Sequence, residues 1–164
     1  MHAKTLEDIE ANFNDYEVGL ERYVRCAWAL DMRMHHVFRP DLTNSLISNI
    51  ERINESLGVA VKTIDLNQWK QNFTSSGKLN KSIEENEYPT WLWLYGVEAL
   101  KDPNFSGWLR NRLTARSIEN LRVIFVVDSY DDYREVFCDR KAAFYHSTRV
   151  LQTNLSNQNE NCSA

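Results

Sequence analysis

The sequence predicts a mixed α/β fold: an N-terminal helical hairpin packed on a short, mainly parallel sheet of three or four strands flanked by helices. Three observations carry that expectation. Apolar residues recur at helical spacing through the first third of the chain. After Gly58 come short apolar runs rich in β-branched and aromatic residues, as in strands. Helical segments lie between those runs, and such alternation is the mark of βαβ units.

The elements follow in order. Leu6, Ile9, Phe13, Tyr16, Leu20, Tyr23, Ala27, Leu30, Met34 and Val37 alternate three- and four-residue steps, which places them on one helical stripe. Thr5-x-x-Asp8 resembles a capping box at its start. Arg39-Pro40 supplies a stop, because the residue before proline avoids the helical region. Gly19 and the Asn14-Asp15 pair are places where this helix can divide. A competing pattern runs through the same segment: Val24, Cys26, Trp28, Leu30, Met32 and Met34 alternate with Arg25, Ala27, Ala29, Asp31, Arg33 and His35, as in an amphipathic strand. The helix explains more residues over a longer span and is the expectation. A second helix is predicted from Asp41 to about Leu57, with Leu42, Leu46, Ile50, Ile53 and Leu57 on one face and Gly58 at its end.

Val59 to Leu66 then reads as a strand and 67–73 as a short helix. Residues 74–88, polar and rich in Ser, Lys, Asn and Glu, read as a loop. Thr90 to Gly96 ("TWLWLYG") is apolar on both faces, as a covered central strand is. A helix from about Phe105 to Ile118, a strand over Arg122–Val127, a helix near 130–138 and a last strand over 143–151 complete the pattern. Residues 1–151 are expected to form one domain, and the polar tail 152–164 to be disordered.

Composition narrows the function classes. At 164 residues, 43% hydrophobic and 12% aromatic, the chain can bury a core without a disulfide or metal. Three cysteines, Cys26, Cys138 and Cys162, are an odd number without C-x-x-C spacing, so neither a disulfide framework nor a zinc knuckle is expected. The first residues are acidic rather than basic and apolar, and no run of about 18 apolar residues occurs. The expectation is a cytoplasmic protein with no membrane association. A net charge of −4 argues against nonspecific nucleic-acid binding by the whole surface.

Three stretches are candidates for chemistry. Asp128, Ser129, Asp131, Asp132 and Glu135 stand directly behind a strand, where open parallel sheets bind ligands. Asp128, Asp131 and Asp132 would supply oxygen ligands to a hard cation such as magnesium, as in a metal-dependent phosphodiesterase or nuclease. The preferred reading is a helix start: Ser129 as N-cap, with acids in the first turn facing the helix dipole. Arg110, Arg112 and Arg116 form the second stretch, a basic helical face suited to phosphate or a nucleic-acid backbone, or simply solvated. Third, Arg140 and His146 have the R-x-x-x-x-x-H spacing of one class of helical ribonucleases. That motif needs a helix, whereas the segment reads as a strand. No glycine-rich phosphate loop and no recognisable nucleophile motif completes a cofactor or catalytic site.

The sequence therefore favours a small, non-enzymatic protein-binding module of the regulator, immunity-protein or antitoxin kind, with no cofactor and another protein as partner. A homodimer through the N-terminal helix is a further expectation. Trp28 and Met32 lie off its main stripe and would widen the apolar surface to be covered.

Overall fold

The computed structural model describes residue 9 and residues 19–75, 77–84, 88–115 and 118–153. Strands β1 (Met34–Phe38), β2 (Ala60–Asp65), β3 (Thr90–Tyr95), β4 (Leu121–Val127) and β5 (Arg149–Val150) form one sheet in the order β2-β3-β4-β1-β5. Every pairing is parallel. Helices α1 (Leu20–Ala29), α2 (Asn44–Ser56), α3 (Lys78–Glu84), α4 (Pro103–Leu113) and α5 (Tyr130–Tyr133) surround it, and α5 runs on into a π-helical turn at Arg134–Cys138.

The period-2 alternation of the central strands makes two cores. Val37 of β1, Trp91 and Trp93 of β3, and Ile124 and Val126 of β4 pack with Leu20, Val24, Ala27 and Trp28 of α1 and Leu46 and Ile50 of α2. Leu92, Leu94, Val123, Phe125 and Val127 pack on the other face with Leu79 and Ile83 of α3, Phe105, Leu109 and Leu113 of α4, and Phe137 and Phe144. Both faces of β3 and β4 are covered, which is why those strands read as uninterrupted apolar runs. The fold is α/β as the sequence predicts, with five strands rather than three or four.

The largest departure lies at the start. The expected stripe from Leu6 to Val37 is not one helix: α1 ends at Ala29 and β1 begins at Met34. The stop is a Schellman motif. Met32 N donates to Ala27 O at 3.0 Å, and Asp31 N donates to Trp28 O at 3.4 Å. Asp31 takes the left-handed turn with φ 52°, a conformation in which aspartate is tolerated although glycine is usual. The same device ends α2, where Gly58 has φ 78° and Val59 N donates to Asn54 O at 2.9 Å. There the glycine announces it. Although β1 separates them in sequence, α1 and α2 lie on the same face of the sheet and share one core.

Smaller differences have local causes. Residues 74–88, read as a loop, contain α3, whose Leu79 and Ile83 supply a minimal apolar face one turn apart. The last strand shrinks from 143–151 to Arg149–Val150, because 139–147 is a series of turns that places Phe144 in the core. Of the expected disordered tail, residues 154–164 lie outside the described residues. Among the described residues no helix is long and apolar enough to cross a membrane.

Connectivity fixes where function can sit. From β1 the chain crosses through α2 to the far edge, β2, and returns through β3 and β4 on the other face. It then passes β1 to reach β5. The connections leaving adjacent β1 and β4 therefore diverge to opposite faces of the sheet. Such a switch point opens a crevice beyond the carboxyl ends of the two strands.

Candidate functional site at the carboxyl end of the sheet

Phe38 and Val127 are register partners, so the residues that follow them, Arg39 and Asp128, meet across the switch point. Arg39 Nε is paired with Asp128 Oδ1, and the guanidinium carbon lies 5.1 Å from the centroid of the Tyr95 ring. The hydrogen bond to Asp128 holds the Arg39 pKa above its ordinary value, and burial raises that of Tyr95. The crevice mouth is thus occupied by one charged side chain spanning the ends of three strands.

The β1–α2 connection contains no glycine. Arg39-Pro40-Asp41 forms a 3-10 turn, and Thr43 caps α2 by accepting from Leu46 N at 3.1 Å. That cap takes one of the N-terminal amides which, in a phosphate-binding loop, face the ligand.

Ser129 is the N-cap of α5 and accepts from Asp132 N at 3.1 Å, as the sequence predicts. Asp132 is engaged by Lys101 Nζ at 2.7 Å, with Glu135 at 3.6 Å from the same ammonium. The hydrogen bond to Asp132 raises the Lys101 pKa. Of the three aspartates considered as metal ligands, Asp128 and Asp132 are therefore drawn to different cations, and Asp131 is exposed. Among the described residues no group of three or more His, Cys, Asp or Glu side chains is arranged to hold a metal ion.

The whole carboxyl end is acidic. Asp41 follows β1, Asp65 closes β2, Glu98 and Asp102 follow β3, and the Asp128–Glu135 segment follows β4, against Arg39, Lys70, Lys101 and Arg134. The loops are braced among themselves. Asn67 Nδ2 donates to Glu98 Oε1 at 2.5 Å, and Asp65 Oδ1 accepts from Asn67 N at 3.0 Å. Gly96, with φ 71°, brings β3 so close that a Cβ there would collide with Asp65 Oδ1. Tyr130, the first residue of α5, is 64% exposed on this rim, its ring 6.0 Å from that of Tyr133.

The other nominated residues are placed elsewhere. Arg110 and Arg112 sit near the end of α4, at the amino end of the sheet. Arg110 is exposed. Arg112 lies over the Trp108 ring at 4.7 Å and is bound to Asn80 Oδ1 at 2.6 Å and Glu84 Oε1 at 3.4 Å. Arg116 lies outside the described residues. Arg140 and His146 are exposed in the turns of 139–147, not on a helix. Trp28, nominated as an interface residue, is 2% exposed within the single chain, its indole donating to Asn54 Oδ1 at 3.2 Å. Met32 is half-buried and packs against the same core.

Sequence reasoning missed Arg39 and Lys101. With 23–38 read as helix, Arg39 was a helix terminus rather than the residue beyond a strand. No local signal in the sequence pairs Lys101 with Asp132. No protein-family profile and no curated protein sequence matches the chain.

Proposed function

We propose that this chain is a non-enzymatic cytoplasmic module that binds another protein, and that its contact face is the acidic carboxyl end of the sheet around Tyr130. The observation that carries the reading is the state of the switch point, where Arg39 and Asp128 satisfy each other and Lys101 holds Asp132. The charged groups best placed to act on a substrate are committed to one another. The aromatic side chain in their midst is free of the core, and tyrosines presented in this way are enriched as interface anchors. A partner with a basic surface is the complement, because opposite potentials steer encounter and disfavour wrong partners.

Affinity capture with mass spectrometry tests this, with wild type compared against Tyr130→Ala and Asp131→Lys. A partner retained by wild type and lost from both variants supports the docking face. A partner retained equally by all three moves the contact elsewhere on the molecule. A magnesium-dependent rise in melting temperature that vanishes in Asp128→Asn would replace the reading with the metal-dependent phosphodiesterase or nuclease.

A further inference from the structure

His35, the second residue of β1, lies under α1 and is 0% exposed. Among the described residues neither of its ring nitrogens makes a well-formed hydrogen bond, and the indole nitrogens of Trp91 and Trp93 on the same face are likewise without a partner. Four orphaned polar atoms between a helix layer and a sheet are unusual, because buried polar groups are nearly always satisfied and each exception is costly. Two rings flank His35: Tyr23 of α1 stands edge-on at 5.8 Å, and Trp91 of β3 stacks at 6.3 Å.

The charged and titratable groups that bear on the imidazole come from every neighbouring element. They are Tyr23 from α1, Arg122 from β4, Arg149 from β5 and His36 on β1 itself. Two are guanidiniums and, among the described residues, none is a carboxylate, so a proton on His35 would meet desolvation and repulsion that the Val123 backbone offsets only in part.

The two ends of α1 are fastened differently. At its carboxyl end the buried Arg122 donates to Ala27 O at 2.8 Å and to Trp28 O at 3.0 Å, and stacks on Trp28 at 4.6 Å. At its amino end Gly19 supplies no side-chain cap. Tyr23, the residue over His35, donates to Val150 O at a long 3.5 Å and also meets the Gln152 backbone.

We propose that the amino-terminal half of α1 is an acid-released cover: protonation of His35 lifts it from β1 and β3, pivoting on the Arg122 clamp, and uncovers His35 and Trp91. The sign follows from linkage. Closed, the imidazole has its pKa lowered by burial from 6.5 to about 4. Open, it regains its ordinary value and binds a proton below about pH 6.5. Opening is therefore favoured as pH falls from 6.5 towards 4. Between pH 7.5 and pH 5 the open-to-closed ratio rises about 30-fold.

Amide hydrogen exchange across this range, corrected for the intrinsic pH dependence, tests the cover. Amides of Tyr23 and Val24 are expected to be less protected than those of β4 at pH 7.5, and to lose a further ~30-fold at pH 5. In His35→Phe, which keeps an aromatic ring between Tyr23 and Trp91, that loss should disappear. His35→Leu serves the same purpose if phenylalanine is not accommodated. Two results would overturn the proposal: α1 and β4 sharing one protection factor at each pH, which makes opening global, or an acid-dependent loss that persists in both variants.

Discussion

Arg122 is a charged residue inside the core, and its partners explain why it is there. Its guanidinium donates to Ala27 O, Trp28 O, Glu119 O and Leu121 O, and approaches Asp31 at 3.3 Å. Burial lowers its pKa only to about 10, so it stays cationic at neutral pH. Replacing it with Met should cost about 3 kcal/mol in denaturant unfolding, since buried carbonyls would be stranded while the apolar stem is kept. Gly96→Ala should cost about 2 kcal/mol, combining a left-handed backbone with the collision at Asp65. Ser129→Ala should cost about 1 kcal/mol through loss of the α5 cap. Ser129 was legible in the sequence because capping is a local rule. Arg122 was not, because its partners lie up to 95 residues away.

At the scale of elements, the sequence was readable wherever period and punctuation agreed. Gly58 closes α2 as expected, whereas α4, expected from about Phe105 to Ile118, runs Pro103–Leu113, because Asp102 caps it by accepting from Asn104 N at 2.9 Å and Phe105 N at 3.2 Å. The strands β2, β3 and β4 needed only their apolar runs and β-branched residues. The segment from α1 to β1 failed because its two signals overlap. Tyr23 and Ala27 belong to a helix, and Val37 to a strand that faces the same core, so one 3.5-residue stripe threads both elements. The helix ends at an aspartate, where the local rule looks for glycine. One consequence concerns self-association: with Trp28 buried in the chain's own core, Trp28→Glu is a stability variant rather than a probe of dimerisation. It should lose about 4 kcal/mol or more and show loss of near-ultraviolet circular dichroism, since the buried indole and its hydrogen bond to Asn54 would give way to a smaller, polar side chain and a cavity. Association itself is read from sedimentation equilibrium of the wild type.

For the whole molecule, parallel topology gathers every strand-to-helix loop at one end, and the sequence makes those loops acidic. Arg33, Arg110 and Arg112 lie towards the opposite end. Two of them are paired there, Arg33 with Asp31 and Arg112 with Glu84. The aspartates after Val127 were visible as a cluster, but their division between Arg39 and Lys101 depends on strand order, which the sequence does not state. Magnesium is expected to leave the melting temperature unchanged, because a site occupied only in the native state would raise it. Association with the proposed basic partner should slow as salt rises, since exposed charges about a Debye length apart are screened.

The central claim is that the partner docks on the carboxyl end of the sheet. Site-specific photocrosslinking in cells tests it most directly, with the photoreactive residue placed either at Tyr130 or at Leu30, which is 56% exposed beyond the end of α1. A discrete partner crosslinked from position 130 and absent from position 30 is the expected result. The same partner captured from position 30 and not from position 130 would contradict the account.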